Sequence, residues 1–295
     1  MAEREDFLKY LQTERRYSPH TLKSYATDLL QFQKFCSEQY ETEQLIGQSH
    51  LVIRSWMVHL KESGSSSRTI HRKLSSLRSF YKYARKMGWT DLNPVLKVPT
   101  PKLSKRLPVF IAETSMENLL DHFSFPDDFG GERDQLLVTL FYETGIRLSE
   151  MIGLLEKDID AAACQIKVLG KRNKERILPV SKETMSFITR FQRLKRMQFE
   201  GELPLELLVT DKGNKLYPKF VYRKVNTYLS LVSTVQQKSP HILRHTFATH
   251  MLNNGANLNS VKELLGHSSL AATQVYTHNT IDKLKKIHEQ KHPRG

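Results

Sequence analysis

Through most of the first hundred positions apolar residues recur at spacings of three and four, as they do in helices that bury one stripe. In YSPHTLKSYATDLLQFQKFC, Leu22, Tyr25, Leu29, Phe32 and Cys36 make such a stripe. Ser18 stands where an N-cap belongs, and Pro19 takes the first helical position. LVIRSWMVHLKESG repeats the pattern and ends at Gly64. The stretch from Gly64 to Gly88 places Ile70, Leu74, Leu77, Tyr81 and Ala84 on one face, so a third helix is expected there. NPVLKVPTPKLSKRLPVFI then breaks the period with Pro94, Pro99, Pro101 and Pro108, which favour an extended connector. The expected division is a helical domain over 1–98, a linker over 99–108 and a second domain over 109–295. The second domain reads as mostly helical with one interruption. There QIKVL, GKRNKE and RILPV predict strand, turn and strand, with Lys171 at the tip.

Charge adds a partner to this picture. The chain of 295 residues carries a formal net charge of +14, which points to a polyanion, nucleic acid before membrane surface. The excess concentrates between Lys61 and Arg106, where twelve Lys and Arg face two acidic residues, Glu62 and Asp91. Arg68, Arg72, Arg78, Lys82 and Lys86 on this third helix, with Lys102, Lys105 and Arg106 in the linker, are the candidate DNA contacts. A solvated charged face is the bland alternative, but such a face mixes signs, and this one is almost wholly positive. Two widely separated cysteines, Cys36 and Cys164, suit a reducing cytoplasm rather than a disulfide framework. The first residues lack the apolar core of a signal peptide, and no apolar run reaches the roughly 18 residues that span a bilayer. No membrane partner is expected.

Four islands carry candidate chemistry: FYETGIRLSEMIGL, VLGKRNKERILPV, SPHILRHTFATH and LLGHSSLAATQVYTH. In the first, Gly145 ends a helix, so Arg147 falls in a helix–helix turn beside Glu150. A guanidinium there offers a planar fork suited to phosphate, and the carboxylate can hold its orientation. In the second, Lys171 can reach outward from a hairpin tip. In the third, Ser239 is expected to cap a helix whose first turn carries His241 and Arg244, with a helix N-terminus favourable to an anion. His241 and His245 at i and i+4 raise zinc as an alternative. Ile242 stands where the zinc-protease pattern needs a glutamate, and no third ligand is evident, so neither metal nor cofactor is expected. His245 is expected to be structural or to support the site, and His250 to lie away from it. In the fourth, Gly266 ends a helix before His267, and Tyr276 follows nine residues later. Each island alone has an ordinary structural reading.

Taken in order, TGIRLSE, GKRNKER, HILRHTFATH, LLGHSS and Tyr276 resemble the catalytic motifs of the tyrosine recombinases, and most closely the XerC/XerD-type site-specific recombinases. SPHTLKSYATDL and LRSFYKYARKMGWTDLNP extend the resemblance through the first half. It implies a mainly α, C-shaped two-domain clamp on DNA. An N-terminal SAM-like core-binding domain would join an α-rich catalytic domain with a small β-hairpin or sheet. It implies that Arg147 and Arg244 clamp the scissile phosphate, Lys171 protonates the leaving 5′-oxygen and Tyr276 is the nucleophile. His241 would assist proton transfer, and His267 would hydrogen-bond the phosphate. The implied reaction cuts and rejoins duplex DNA through a 3′-phosphotyrosyl link and a Holliday junction. Its implied setting is resolution of chromosome or plasmid dimers in the cytoplasm, with a septal DNA translocase as activator. Ile281, Leu284 and Ile287 could belong to an ordinary terminal helix packed in cis. The resemblance instead implies that this helix docks on a neighbour, building a homo- or hetero-tetramer. A mobile-element integrase, a type IB topoisomerase and a DNA-binding protein with a dead site are the competing readings.

Overall fold

A computed structural model of the chain describes residues 2–102, 109–170, 175–201, 204–266 and 286–294. It separates into two compact units, Met1–Arg106 and Leu107–Gly295. Both are mostly helical, and among the described residues no helix is long and apolar enough to cross a membrane.

The first unit contains α1 (Ala2–Thr13), α2 (Pro19–Tyr40), α3 (His50–Glu62) and α4 (Ser67–Lys86). Local chemistry sets their starts. Ser18, Ser49 and Ser66 each accept from a backbone N–H three residues on, which satisfies one orphan donor of α2, α3 and α4 respectively. Of the expected α2 stripe, Leu29, Phe32 and Cys36 are fully buried, and Leu22 and Tyr25 pack at its margin. They meet Trp56 of α3 and Leu74, Leu77, Phe80 and Tyr81 of α4 in one core. The periodic pattern does not disclose a buried ion cluster in the same interface. Asp28 of α2, fully buried, accepts from Ser76 at 2.8 Å and from Arg72, with Lys73 at 3.7 Å. α4 therefore turns one of its cations, Lys73, inward.

In the second unit, α6 (Phe129–Thr144) is buried almost all round, as a helix at the centre of a core must be. It packs against α8 (Lys182–Gln198) and α10 (Pro240–Asn253). A short α5 (Glu113–Glu117) precedes it, and α7 (Leu148–Ile152), α9 (Pro218–Val232) and α11 (Leu258–Leu265) are further helices of this unit. The expected hairpin is present as β2 (Gln165–Leu169) and β3 (Glu175–Pro179), antiparallel with Leu169 opposite Glu175. A further short strand, β1 (Ile159–Asp160), pairs with β2; two residues are too few for a periodic signal. Ser239 stands at the N-cap of α10 as expected, but its side chain makes no capping bond; its carbonyl instead accepts from Ile242 and Leu243.

Residues 286–291 are helical and pack on the chain's own α6 and α10. His288 donates through Nε2 to the Glu143 carbonyl at 2.8 Å, and His292 likewise to the Tyr142 carbonyl at 3.0 Å. The two rings stack at 5.0 Å. These are carbonyls of the last turn of α6, which lack helical donors of their own and so take the imidazoles. Within the single chain this segment is seated in cis. Ile281 and Leu284 lie outside the described residues.

Gly145 ends α6 with φ of +59°, and a Cβ there would stand 2.6 Å from the Phe247 ring. Gly145→Ala combines backbone strain with overpacking and should cost about 1–3 kcal/mol of stability in urea unfolding. A variant as stable as the wild type would show that this turn is not constrained.

Candidate active site

The turn made by Gly145 delivers Arg147 to the N-cap of α7, three residues before Glu150. Glu150 accepts from the Arg147 backbone N–H at 2.9 Å through Oε2 and from its guanidinium at 2.8 Å through Oε1. The same carboxylate takes a second guanidinium: Arg176 of β3 binds both oxygens, each at 2.7 Å. Bidentate pairs of this kind are among the strongest hydrogen-bonded contacts in proteins. Arg176 was not singled out from the sequence. A signal existed, because Arg176 and Leu178 alternate inward along β3, and an arginine on the inner face of a strand needs a buried acid.

Three arginines converge on the C-terminus of α11. Arg176 Nε donates to the Leu264 carbonyl at 3.0 Å, Arg244 Nη2 to Leu265 at 2.5 Å and Arg147 Nη2 to Gly266 at 2.7 Å. Arg244 also donates to the Gly145 carbonyl. Gly266, with φ of +61°, closes α11 where a Cβ would be only 3.1 Å from Arg176 Cδ. The negative end of α11 thereby receives three cations from elements remote in sequence. Arg147 and Arg244, predicted from separate islands, are brought together here.

The electrostatics follow from burial. Burial alone would raise Glu150, but the hydrogen bonds and charge of Arg176, and then those of Arg147, hold its carboxyl down to about 2. Burial, and next the charges of Arg147 and Arg176, push Arg244 down to about 9, still cationic at neutral pH. Three guanidiniums stand against one carboxylate, so among the described residues the cluster keeps an excess of positive charge. Arg244 is 8% exposed and the Arg147 side chain 21%. The unmatched cations are therefore sheltered but open on one side, which suits an anion such as a phosphate diester.

The other predicted residues divide. His241 is exposed in the first turn of α10, next to Pro240. His245, one turn further along α10, is also exposed. His250 is buried away from the arginines; it donates to the Ile111 carbonyl at 3.0 Å and accepts from the Tyr142 hydroxyl at 2.9 Å. Among the described residues no three His, Cys, Asp or Glu side chains converge to hold a metal. Lys171, His267 and Tyr276 lie outside the described residues.

On α4, Arg68 and Lys82 are exposed with no protein partner among the described residues. Arg72 is exposed but gives one donor to Asp28, and Lys86 turns to α1, pairing with Glu14 at 3.4 Å and covering the Tyr10 ring. Arg78 is half-buried, Lys102 is exposed, and Lys105 and Arg106 lie outside the described residues. The candidate DNA face is thus uneven, because two of its cations already have acidic partners.

A family model described as the phage integrase family matches residues 110–283, and one described as the phage integrase N-terminal SAM-like domain matches residues 5–88. The chain is 38% identical over 316 residues to the tyrosine recombinase XerC of Chlorobaculum parvum, covering 98% of this chain and 94% of that protein. It is 39% identical over 294 residues to the tyrosine recombinase XerC of Listeria monocytogenes serotype 4a, covering 99% and 97%. Among solved structures it is similar to XerH site-specific recombinase bound to a palindromic difH substrate, with a TM-score of 0.70, 21% identity and coverage of 96% and 83%. The Tn1549 transposon integrase in complex with circular intermediate DNA gives a TM-score of 0.70 at 19% identity, covering 94% and 97%. At these identities the two structures speak to the fold alone.

Ionised Glu150 is favoured by the fold, so its stabilisation is fully present above its ordinary value of 4.5 and fades as pH falls toward about 2. The shift corresponds to about 3 kcal/mol at neutral pH. Glu150→Gln should therefore unfold at lower denaturant than the wild type at neutral pH, and the gap should narrow as the pH is lowered through that window. A gap independent of pH would show that the charge of Glu150 contributes nothing.

Proposed function

This chain belongs to the phage integrase family, the tyrosine recombinases, and on that premise we propose that its catalytic centre is Arg147, Lys171, His241, Arg244, His267 and Tyr276. The chain is a DNA strand-transferring enzyme that carries out site-specific recombination. The observation that carries the assignment is the meeting of Arg147 and Arg244 at the end of α11, one residue before His267.

The chemistry runs from these charges. A free tyrosine has a pKa near 10, so roughly one in a thousand is ionised at neutral pH, a cost of about 4 kcal/mol. Arg147 and Arg244 lower that cost once Tyr276 stands at the phosphate, and they stabilise the charge that builds on its non-bridging oxygens. The Tyr276 oxygen bonds to phosphorus as the 5′-oxygen leaves and takes a proton from Lys171. His241, exposed at the start of α10, takes up the tyrosine proton, and His267 donates to a phosphate oxygen. The resulting 3′-phosphotyrosyl link conserves the phosphodiester, so the 5′-hydroxyl of another strand can reverse the step. Two such exchanges pass through a Holliday junction.

We infer further that the DNA-facing side of the first unit uses Arg68 and Lys82, with Arg72, Arg78, Lys86, Lys102, Lys105 and Arg106 contributing. Relatives named XerC, matched over almost their whole length, support dimer resolution in the cytoplasm over mobile-element integration. On this reading the protein acts as a homo- or hetero-tetramer in which the C-terminal segment leaves its cis seat for a neighbour, and a septal DNA translocase is the activator.

Incubation with nicked suicide duplexes carrying candidate sites should give a covalent protein–DNA adduct on a denaturing gel. Tyr276→Phe should give none, and Arg147→Ala or Arg244→Ala should slow its formation by about 10²–10³-fold. An undiminished adduct with Tyr276→Phe would sink the mechanism. For the DNA face, replacing Arg68 and Lys82 together by Ala should reduce the slope of log affinity against log salt by about 2. An unchanged slope removes α4 from the interface.

A further inference from the structure

Each of the three side-chain nitrogens of Arg176 donates inside the protein, which takes up three of its five N–H groups. Nη1 and Nη2 hold the two oxygens of Glu150 at 2.7 Å each, and Nε holds the Leu264 carbonyl at 3.0 Å. The residue is 5% exposed. A guanidinium so committed has little left for a substrate phosphate. What it touches, however, belongs to three separate parts of the proposed centre. Glu150 orients Arg147 through both its backbone N–H and its guanidinium. Leu264 lies in the last turn of α11, whose next two carbonyls receive Arg244 and Arg147. Arg176 itself is carried by β3, opposite Val168 of β2, and Lys171 falls between these two strands in the sequence.

We propose that Arg176 is a positioning residue for strand cleavage, fixing Glu150, and through it Arg147, against the last turn of α11 and tying the β2–β3 hairpin to both. This rests on the reading of Arg147 as a phosphate clamp. Glu150 is the lever. The charged groups that face it are Arg147 from its own helix, Arg176 from β3 and Arg244 from α10, among the described residues. Arg176 is the partner whose guanidinium alone spans both oxygens, so its loss leaves burial to raise the carboxyl against Arg147 and the charge of Arg244. A protonated Glu150 accepts less well from Arg147, and a small misplacement of a clamping group costs large factors in rate.

The test is single-turnover cleavage of a nicked suicide duplex at saturating protein, from about pH 5 to about pH 9, beside DNA affinity and thermal melting. Arg176→Met should slow cleavage about 10²-fold while affinity changes by less than about 3-fold. Its rate should also fall off at a higher pH than the wild type's. Glu150→Gln should be similarly slow but without that added pH dependence, and the double variant should be no slower than either single. Arg176→Lys keeps the charge but not the fork, so it should recover part of the rate and move the acid limb less. Should Arg176→Met fail to melt cooperatively, Arg176→Lys and Glu150→Gln carry the comparison. Wild-type cleavage by the Arg176 variants, or slower cleavage with a pH profile parallel to the wild type's, overturns the proposal. Undiminished cleavage by Arg147→Ala would instead remove the phosphate-clamp reading, whatever Arg176 does.

Discussion

A carboxylate taken out of water must be paired, and Glu150 is paired with two guanidiniums at once. That sharing organises the second unit around one point. Arg147 cannot swing away from α7 without giving up the acceptor that also receives its backbone N–H. Arg176 cannot move without freeing β3 from α7 and α11. Gly145 and Gly266, both left-handed, let the backbone come close enough for the contacts to form. A helix end that would otherwise expose unmet carbonyls receives three cations.

The same logic recurs at the end of α6. Its last carbonyls take the imidazoles of His288 and His292 from the C-terminal segment. Beside them Glu143, fully buried and pushed up by burial, accepts from the Ser181 backbone N–H and the Thr184 hydroxyl at the start of α8. Burial, and next His288, drive His292 well below its ordinary value, so it keeps a lone pair that accepts from the Arg294 N–H at 3.1 Å. The C-terminal segment is therefore held by polar atoms of the helix end as much as by Ile287. On the proposed exchange between protomers, the neighbour's segment would have to offer the same donors, and the identical sequence of a second copy does so.

What could be read from the sequence follows the range of the forces involved. Caps, glycine stops and apolar stripes act within one or two turns, so Ser18, Gly145, Gly266 and the α4 stripe announce themselves. The hairpin was legible because alternation over five residues is a local signal, whereas two-residue β1 was not. Arg147 and Arg244 were marked by the family resemblance, one in a helix–helix turn and one in the first turn of a helix, but their meeting lies in tertiary packing. Arg176 and Glu150 are 26 residues apart, and only the sheet brings them together. Asp28 misled in the other direction: its burial claims Lys73 and part of Arg72, which a count of charge along α4 assigns to solvent. His245 shows the same limit, since a cluster of histidines on one short stretch is divided by the helix between water and core.

The excess charge at α11 also bears on the proposed chemistry. Two cations beyond what Glu150 neutralises would ordinarily be dispersed by water, but burial keeps them in place before any substrate arrives. The cost of gathering them is met in folding, by the carbonyls of Leu264, Leu265 and Gly266 and by the core beneath α6 and α10. On the proposed mechanism, a phosphate diester entering the cluster brings one negative charge, and a second develops as the tyrosine oxygen attacks. The field is then better matched by the transition state than by the bound diester, the condition under which preorganised charge accelerates a reaction rather than merely tightening binding. Because the attack exchanges one phosphoester for another, that field need only lower a barrier; it does not have to drive the equilibrium.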